Sequence, residues 1–202
     1  FHESPAIRIT SKACLELANI TIDDVGPMDL YSCFPSVVQI TMNELGIQSD
    51  RITTTTGGLS FFGGPMNSYV IHAIASTVDA VRASEEYGFI HANGGYATKH
   101  SCAVYSSQPP EGDFQRRNVQ GEINTHPQRE VDTNPVGKSI IESYTVLHDR
   151  EGASKALVTS LMADGKRALS STSDEETMKS MMSEEYVGKT LEFTGSGSFE
   201  IL

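Results

Sequence analysis

The sequence predicts an α/β protein with a second, smaller part that is rich in β-structure. Helical and strand patterns alternate over residues 1–107, which is typical of a layered α/β unit. Prolines, glycines and little periodicity mark residues 108–138 as a linker or an extended surface crossing. Residues 139–202 then show three strand patterns, a short helix and two more strand patterns. This order predicts a small β-barrel of the OB type.

The composition indicates a soluble globular protein that has no membrane-spanning segment and does not bind nucleic acid. The chain has 202 residues, of which 38% are hydrophobic, enough to form a core. No apolar run approaches the roughly 20 residues of a membrane-spanning helix. The net charge is −11 and the 15 basic residues are scattered, whereas binding to a phosphate backbone needs clustered basic residues.

The first residue and the cysteines of the chain indicate whether it is a fragment and where in the cell it is found. The chain begins with Phe1 rather than with methionine, so we expect a fragment of a longer polypeptide. Three cysteines without a short repeated spacing indicate neither a disulfide framework nor a zinc site. We therefore expect no metal and a cytoplasmic location.

In the first part, start and stop signals define two helices and the strand between them. A helix is predicted over 5–19, because Ser-Pro precedes an apolar stripe. A short buried strand is predicted over 28–33. A second helix begins at Pro35, and Gly46 is its stop signal.

A glycine-rich loop covers residues 56–69, and it contains four glycines and a proline within nine residues. Glycine permits positive φ and the close approach of a ligand, and Pro65 suits the first position of a helix predicted over 65–86. A helix N-terminus there would bind a carbonyl, carboxylate or phosphate oxygen. A tight packing loop without a ligand explains the pattern equally well. The loop has neither of the two common nucleotide-binding motifs, the Walker motif with its Lys-Ser/Thr and the G-x-G-x-x-G pattern. The candidate binding residues in it are Gly58, Gly63, Gly64, Pro65 and Asn67.

Two further strands are predicted over 89–92 and 101–106, and the segment between them carries polar groups. Its candidate binding residues are Asn93, Gly94 and Gly95. His100 could act as an acid, a base or an oxyanion donor. A solvent-facing turn is an equally good explanation for the Lys-His pair at 99–100.

The cysteines and the aromatic residues of the second part have structural explanations as well. Cys33 lies at a strand-to-helix junction, where a helix dipole could activate a thiol, but a buried structural cysteine is the better explanation. Cys14 and Cys102 are expected in the core. The rings of the second part are expected to fill its core, because stacking on bases would need a positive groove. These rings are Tyr144, Tyr186, Phe193 and Phe199.

The order of the three loops resembles the C-terminal half of a thiolase. The matching motifs are Tyr-Ser-Cys-Phe at 31–34, Gly-Gly at 57–58 with Gly-Gly-Pro at 63–65, and Asn-Gly-Gly at 93–95. The chain is most similar to the sterol-carrier-type and thiolase-like type 1 branch of acetyl-CoA acetyltransferases, whose type 1 members carry an additional C-terminal domain. By this resemblance, residues 1–107 are the end of an α/β/α thiolase core and 139–202 are the additional domain.

The resemblance also implies that the usual catalytic groups are altered. The family's nucleophilic cysteine lies in the N-terminal half, which this chain lacks. Tyr31 corresponds to the residue that positions a water at the oxyanion hole, and Gly64 corresponds to the catalytic histidine of Gly-His-Pro. The third loop, around Asn93, has no acid/base cysteine. By position only, the candidate substitutes are His100, Lys99, Tyr69 and Asn67.

The function implied is that of a thiolase-like acyl-CoA acyltransferase fragment, which acts on or binds acyl-CoA thioesters in lipid metabolism. Coenzyme A would be part of the substrate or product, and no other cofactor is implied. The candidate catalytic residues are Tyr31, Cys33 and His100. The alternative is a non-catalytic thiolase-like subunit that docks a partner protein, or a second subunit, through its OB-like domain.

Overall fold

The computed structural model describes residues 2–110, 112–195 and 198–202. The chain divides into two units, 2–126 and 127–202, and the boundary falls inside the segment predicted as a linker. None of the described helices is both long and apolar enough to cross a membrane.

Among its described residues, the first unit contains five helices, a short 3-10 helix and three strands. The helices are Pro5–Leu17 (α1), Pro35–Leu45 (α2), Leu59–Phe62 (α3), Tyr69–Ser84 (α4) and Gln120–Ile123 (α5); the 3-10 helix is Ile22–Asp24 and the strands are Val25–Leu30 (β1), Tyr87–Gly94 (β2) and Lys99–Tyr105 (β3). Strand β2 is central, parallel to β1 and antiparallel to β3.

Helices cover both faces of this sheet. Neighbouring residues of a strand point to opposite faces, and Phe89 and Ile90 accordingly belong to two different core clusters. Helix α1 packs against β3 and α2, whereas α4 packs against β1 and β2. The predicted α/β/α layering of the first unit is thereby confirmed.

The signals that define α1 and α2 act as predicted. The Ser4 hydroxyl accepts a hydrogen bond from the Ile7 N–H at 3.4 Å, which caps the start of α1. Gly46 ends α2 with a φ of +67°, a conformation that suits glycine.

The helix predicted over 65–86 begins later than expected, at Tyr69. Pro65 starts a turn instead: its carbonyl accepts from the N–H of Ser68 at 3.0 Å and from the Ser68 hydroxyl at 2.6 Å. Met66, with a φ of +51°, cannot continue a right-handed helix. The prediction that Pro65 is a first helical residue is therefore wrong.

The strands around the third loop are longer than predicted. Gly94 pairs with Lys99 and Asn93 pairs with His100, so only residues 95–98 form the turn. Gly95 and Ala97 both have positive φ, +63° and +58°, which tightens this turn. His100 therefore lies on a strand and not in a solvent-facing loop. Conversely, β1 ends at Leu30, so residues 31–33 form a loop and not the end of a strand.

The described residues of the second unit form a six-stranded sheet and one helix. Its strands are Val131–Asp132 (β4), Gly137–His148 (β5), Ala153–Met162 (β6), Arg167–Thr172 (β7), Thr190–Gly195 (β8) and Ser198–Ile201 (β9), and its helix is Glu175–Ser183 (α6). The predicted succession of strands and helix is confirmed. Strand β4 escaped prediction because two residues show no alternating pattern.

The sheet of the second unit is curled but not closed, so the predicted OB-type barrel is not confirmed. Its order is β4-β7-β6-β5-β8-β9, and β4 and β9 are the edges among the described strands. Strands β7 and β9 nevertheless approach each other, although three strands lie between them in the sheet. Tyr186 and Phe193 are 7% and 5% exposed in the core, and Tyr144 and Phe199 pack against it, as predicted for these rings.

Candidate functional site

Side chains of residues 32 and 33 link three loops of the first unit, and we call the contact between Cys33 and Asn93 the Cys33–Asn93 site. The loop after β1 contacts the glycine loop, because the Ser32 hydroxyl accepts from the Leu59 N–H at 3.0 Å. The same loop contacts the β2–β3 hairpin, because the Asn93 amide Nδ2 donates to the Cys33 Sγ at 3.0 Å. The predicted loops therefore converge through side chains of residues 32 and 33.

Asn93 is buried with one end of its amide unpaired. It is 9% exposed, and its Oδ1 has no hydrogen-bond partner among the described residues. A buried polar atom without a partner is rare and costly in folded proteins.

Tyr31 lies in the same loop as Cys33 and packs against the Tyr69 cluster. Burial, and then the neighbouring Cys33, raise the pKa of Tyr31, so its O–H stays a donor at neutral pH. Its ring meets the Tyr69 ring edge-on, with the centroids 5.4 Å apart. This contact fixes the direction of the Tyr31 side chain.

Two histidines of the hairpin form a hydrogen-bonded pair beside Asn93. His91 Nε2 and His100 Nδ1 lie 3.1 Å apart, and His100 Nε2 lies 3.1 Å from the Ala97 carbonyl oxygen. Burial, helped by the charge of His100, lowers the pKa of His91 to about 3. Burial also lowers the pKa of His100, against the opposing effect of the Ala97 carbonyl. Both rings are therefore neutral at pH 7.

The partners of the two neutral rings assign their protons. His100 Nε2–H donates to the Ala97 carbonyl, so His100 Nδ1 must accept from His91 Nε2–H. His91 Nδ1 then faces the Thr41 hydroxyl at 3.5 Å, which itself donates to the Val37 carbonyl at 2.7 Å. Both nitrogens of His100 thus have hydrogen-bond partners within the fold. His100, a predicted catalytic residue, lies beside the site, where it stabilises the hairpin.

Sequence reasoning missed a second polar cluster, which is centred on Asp29 in β1. Asp29 is 1% exposed. Its Oδ1 accepts from the Tyr69 hydroxyl at 3.0 Å, and its Oδ2 accepts from the Thr54 hydroxyl at 2.8 Å and the Thr55 N–H at 3.0 Å. A charged residue within the predicted buried strand 28–33 was the signal that could have found it, since buried carboxylates need partners.

The Asp29 cluster holds the start of the glycine loop in place. The Thr54 and Thr56 hydroxyls accept from the N–H groups of Gly57 and Gly58 at 3.0 and 3.2 Å. Gly58 has a φ of +78°, and a Cβ on it would lie 3.0 Å from the Ser32 hydroxyl oxygen. Glycine is therefore required where this loop meets the loop that carries Cys33.

The rest of the glycine loop lies apart from these contacts. Residues 61–67 are exposed, and they include the predicted binding residues Gly63, Gly64, Pro65 and Asn67. Phe61 and Met66 are 89% and 92% exposed. The structure thus brings Cys33 and Asn93 into contact, with Gly94 and Gly95 next to Asn93 in the hairpin. Gly58 lies beside Ser32, Tyr31 packs on Tyr69, and residues 63–67 are exposed.

The other two thiols are not part of the site. Cys102 lies 3.3 Å from the Ser11 hydroxyl, and burial raises its pKa to about 12. Burial likewise raises the pKa of Cys14 to about 11. In the part of the chain that the structure describes, no three His, Cys, Asp or Glu side chains are grouped to hold a metal ion.

Comparison with known proteins identifies relatives that share this architecture. Residues 118–197 match the family model of the thiolase-like protein type 1 additional C-terminal domain. The crystal structure of a monomeric SCP2-thiolase like protein type 1 from Mycobacterium smegmatis matches 99% of the chain with a TM-score of 0.88 and 33% identity. The chain belongs to the thiolase-like proteins. It spans 45% of the length of that structural relative, and no curated protein sequence matches it.

The thiolase-like assignment confirms the resemblance found from the three loops. The additional C-terminal domain is the second unit, and its sheet is an open curled one. Within the thiolase-like fold, this chain has Gly64 where the resemblance implies a histidine, and Asn93 in the loop where it implies a cysteine. The thiol at the site comes from the first loop, as Cys33.

Proposed function

We propose that this thiolase-like chain forms an acyl-CoA thioester site with altered catalytic groups, as part of an acyltransferase of lipid metabolism. The observation that carries the proposal is the contact between Cys33 and Asn93, in loops that Ser32 links to the glycine loop, with a buried amide end left unpaired there. A buried polar group without a protein partner is satisfied when a ligand supplies one.

The groups at the site suit the polar parts of an acyl-pantetheine thioester. Such a ligand has a thioester carbonyl oxygen and amide N–H groups. The Tyr31 hydroxyl can donate to the carbonyl, and the unpaired Oδ1 of Asn93 can accept from an amide N–H.

The direct test is the affinity for acetyl-CoA, measured by isothermal titration calorimetry. We expect the wild-type chain to bind, and Asn93→Ala to weaken binding about tenfold, the worth of one buried hydrogen bond. Asn134→Ala, the same change at an exposed position of the second unit, is the matched control and should bind as the wild type does. Absent binding by the wild type, or equal affinity of Asn93→Ala, would refute the proposal.

A second test concerns the altered glycine loop. A Cβ on Gly64 would lie 3.5 Å from Leu59 Cδ2, an ordinary contact, and Gly64 has no positive φ. A Cβ at position 64 therefore causes neither a clash nor backbone strain, and Gly64→His is a practicable variant. If an upstream nucleophile completes the site, thiolysis of acetoacetyl-CoA should rise in Gly64→His and not in Gly64→Gln. An unchanged rate would count against a thiolase-type reaction.

The absence of a side chain at Gly64 also favours a second candidate function. A thiolase-like subunit without this histidine would bind the thioester without turning it over, and would dock a partner protein through its second unit. Thioester binding with no turnover in either wild type or Gly64→His would select this candidate.

A further inference from the structure

We propose that His91 and His100 form a pH-sensitive switch, in which the pair takes up one proton and His91 changes from its Nε2–H tautomer to its Nδ1–H tautomer. The switch sets the charge of the β2–β3 hairpin. It is independent of the proposed function, because it concerns the hairpin whether or not a thioester binds.

The two rings belong to a continuous row of hydrogen-bonding atoms. The ring centroids lie 5.3 Å apart with the planes inclined by 19°, and His91 Nε2 lies 3.1 Å from His100 Nδ1. The row runs from the Thr41 hydroxyl in α2, through both rings, to the Ala97 carbonyl in the hairpin turn. A proton that joins this row can therefore change the donors and acceptors along its whole length.

The neutral pair contains one poorly matched contact, at the Thr41 end of the row. His91 Nδ1 then carries a lone pair, whereas the Thr41 hydroxyl hydrogen is donated to the Val37 carbonyl at 2.7 Å. Two acceptors thus face each other, and their separation of 3.5 Å is longer than that of a normal hydrogen bond. His91 is 1% exposed, and a buried acceptor without a donor is costly.

One added proton gives all four ring nitrogens a matched partner. His91 Nε2–H passes its proton to His100 Nδ1, and a proton taken from water ends on His91 Nδ1. His91 Nδ1–H then donates to the Thr41 oxygen, and His100 Nδ1–H donates to His91 Nε2. His100 Nε2–H keeps the Ala97 carbonyl, so the positive charge resides on His100.

A second proton is excluded by the same geometry. It would place two N–H donors face to face at His91 Nε2 and His100 Nδ1, which lie only 3.1 Å apart. In agreement, burial and then the charge of His100 lower the pKa of His91 to about 3. The folded pair therefore takes up one proton, and not two, as the pH falls from neutral toward 3.

The thiols packed on the same face do not change charge in this range. Cys102 lies opposite His91 in β3, and Cys14 of α1 interacts with Cys102. Burial raises the pKa of Cys102 to about 12 and that of Cys14 to about 11. Lys99 is exposed and directly precedes His100 in the strand, so its side chain points to the other face. The thiols therefore remain uncharged while the histidines titrate.

The carboxylates of the neighbouring elements α2 and β1 are engaged elsewhere. Glu44 of α2 accepts from the Arg8 guanidinium and from the Ser4 N–H. Asp29 of β1 lies opposite Ile90 and not opposite His91, so it points to the other face of the sheet. The proton therefore adds a net positive charge to the hairpin, on the residue that pairs with Asn93.

The experiment is nitrogen NMR of the 202-residue chain with isotope-labelled histidines, titrated from pH 8 to pH 5. We expect both rings to carry their protons on Nε2 at pH 8. On acidification His100 Nδ1 should gain a proton while the His91 proton moves from Nε2 to Nδ1, at one common midpoint below about 6.5. His91→Gln and His100→Gln assign the signals.

Thr41→Val removes the acceptor that the switched tautomer of His91 needs. We expect the proton affinity of the pair to fall about tenfold, the effect of one buried hydrogen bond. The matched control is Thr77→Val, because Thr77 is equally buried but lies in α4, on the other face of the sheet. This control should keep the wild-type midpoint.

The wild-type spectra decide the tautomer even if a variant fails to fold. The switch is overturned if His91 keeps Nε2–H while His100 gains its proton, or if the two changes have separate midpoints. A folded pair that stays neutral down to pH 5 also overturns it. Equal midpoints for Thr41→Val and the wild type would show that Thr41 does not accept from His91, and the proposed row would be wrong.

Discussion

The Asp29 cluster and the Cys33–Asn93 site are two buried polar regions of the same unit, and they differ in how completely they are paired. Both oxygens of Asp29 accept hydrogen bonds from the fold. Asn93 uses one end of its amide and leaves the other unpaired. The comparison teaches that the hydrogen bonds of Asp29 serve to hold the fold together. The unpaired amide of Asn93 marks the place where we expect a ligand.

The largest effect on stability should come from Asp29→Ala. The change leaves the Tyr69 hydroxyl and the Thr54 and Thr55 donors without their acceptor in the interior, and we expect a loss of about 3 kcal/mol in the free energy of unfolding. Urea unfolding followed by circular dichroism measures it. Asp50→Ala, at an exposed turn position, is the control. An equal effect of the two changes would show that Asp29 does not stabilise the fold.

A pH change should have the next largest effect, through His91. Its pKa in the folded state is about 3, below the unfolded value of about 6.5. Between these values the unfolded state binds more protons than the folded state. The contribution of His91 to the free energy of unfolding is therefore fully present above pH 6.5 and is lost as the pH is lowered toward 3. At pH 5 the loss should be about 2 kcal/mol.

The check is a comparison of urea unfolding at pH 7.5 and pH 5 in the wild type and in His91→Gln. We expect the variant to have the flatter pH dependence, whatever its stability at pH 7.5. A variant that loses as much stability on acidification as the wild type would show that other groups cause the effect.

Tyr69→Phe should have a smaller effect, about 1 kcal/mol. The change removes one hydroxyl, which donates to Asp29 at 3.0 Å and lies 2.7 Å from the Thr56 hydroxyl, but it keeps the ring. Tyr96→Phe removes the same group from a side chain that is 88% exposed and should be neutral. The difference in urea midpoint between the two variants measures the contribution of this contact.

Asn93→Ala should change stability least, by about 0.5 kcal/mol. It loses one hydrogen bond to a thiol, and this loss is offset because the unpaired Oδ1 is removed as well. The same urea titration sharpens the comparison with Asp29. A loss above about 2 kcal/mol would mean that Asn93 belongs to the scaffold and not to a ligand site.

The sequence predicted those parts of the fold that depend on neighbouring residues. The Ser4 cap and the Gly46 stop are local signals, and both act as expected. The start of α4 was missed because the positive φ of Met66 leaves no mark on residue type. The second sheet was predicted as a closed barrel but is open, since closure depends on how two distant edges meet.

The candidate site was predicted residue by residue but not as an arrangement. Cys33 and Asn93 each appeared as a candidate, yet their contact requires that β1 and β2 pair in parallel, with Leu30 opposite His91. This register depends on a crossover through α4, which no short motif encodes. The engagement of both nitrogens of His100 likewise followed only from the three-dimensional partners of the ring.

The β2–β3 hairpin has a consequence for the order in which the molecule folds. His91 and His100 are nine residues apart in the chain, whereas Cys33 and Asn93 are 60 apart. Because contacts between distant residues close late and slowly, we expect the hairpin amides to gain protection in pulsed hydrogen exchange before those of β1. The contact between Cys33 and Asn93 would then form only when β1 joins a hairpin that already holds Asn93.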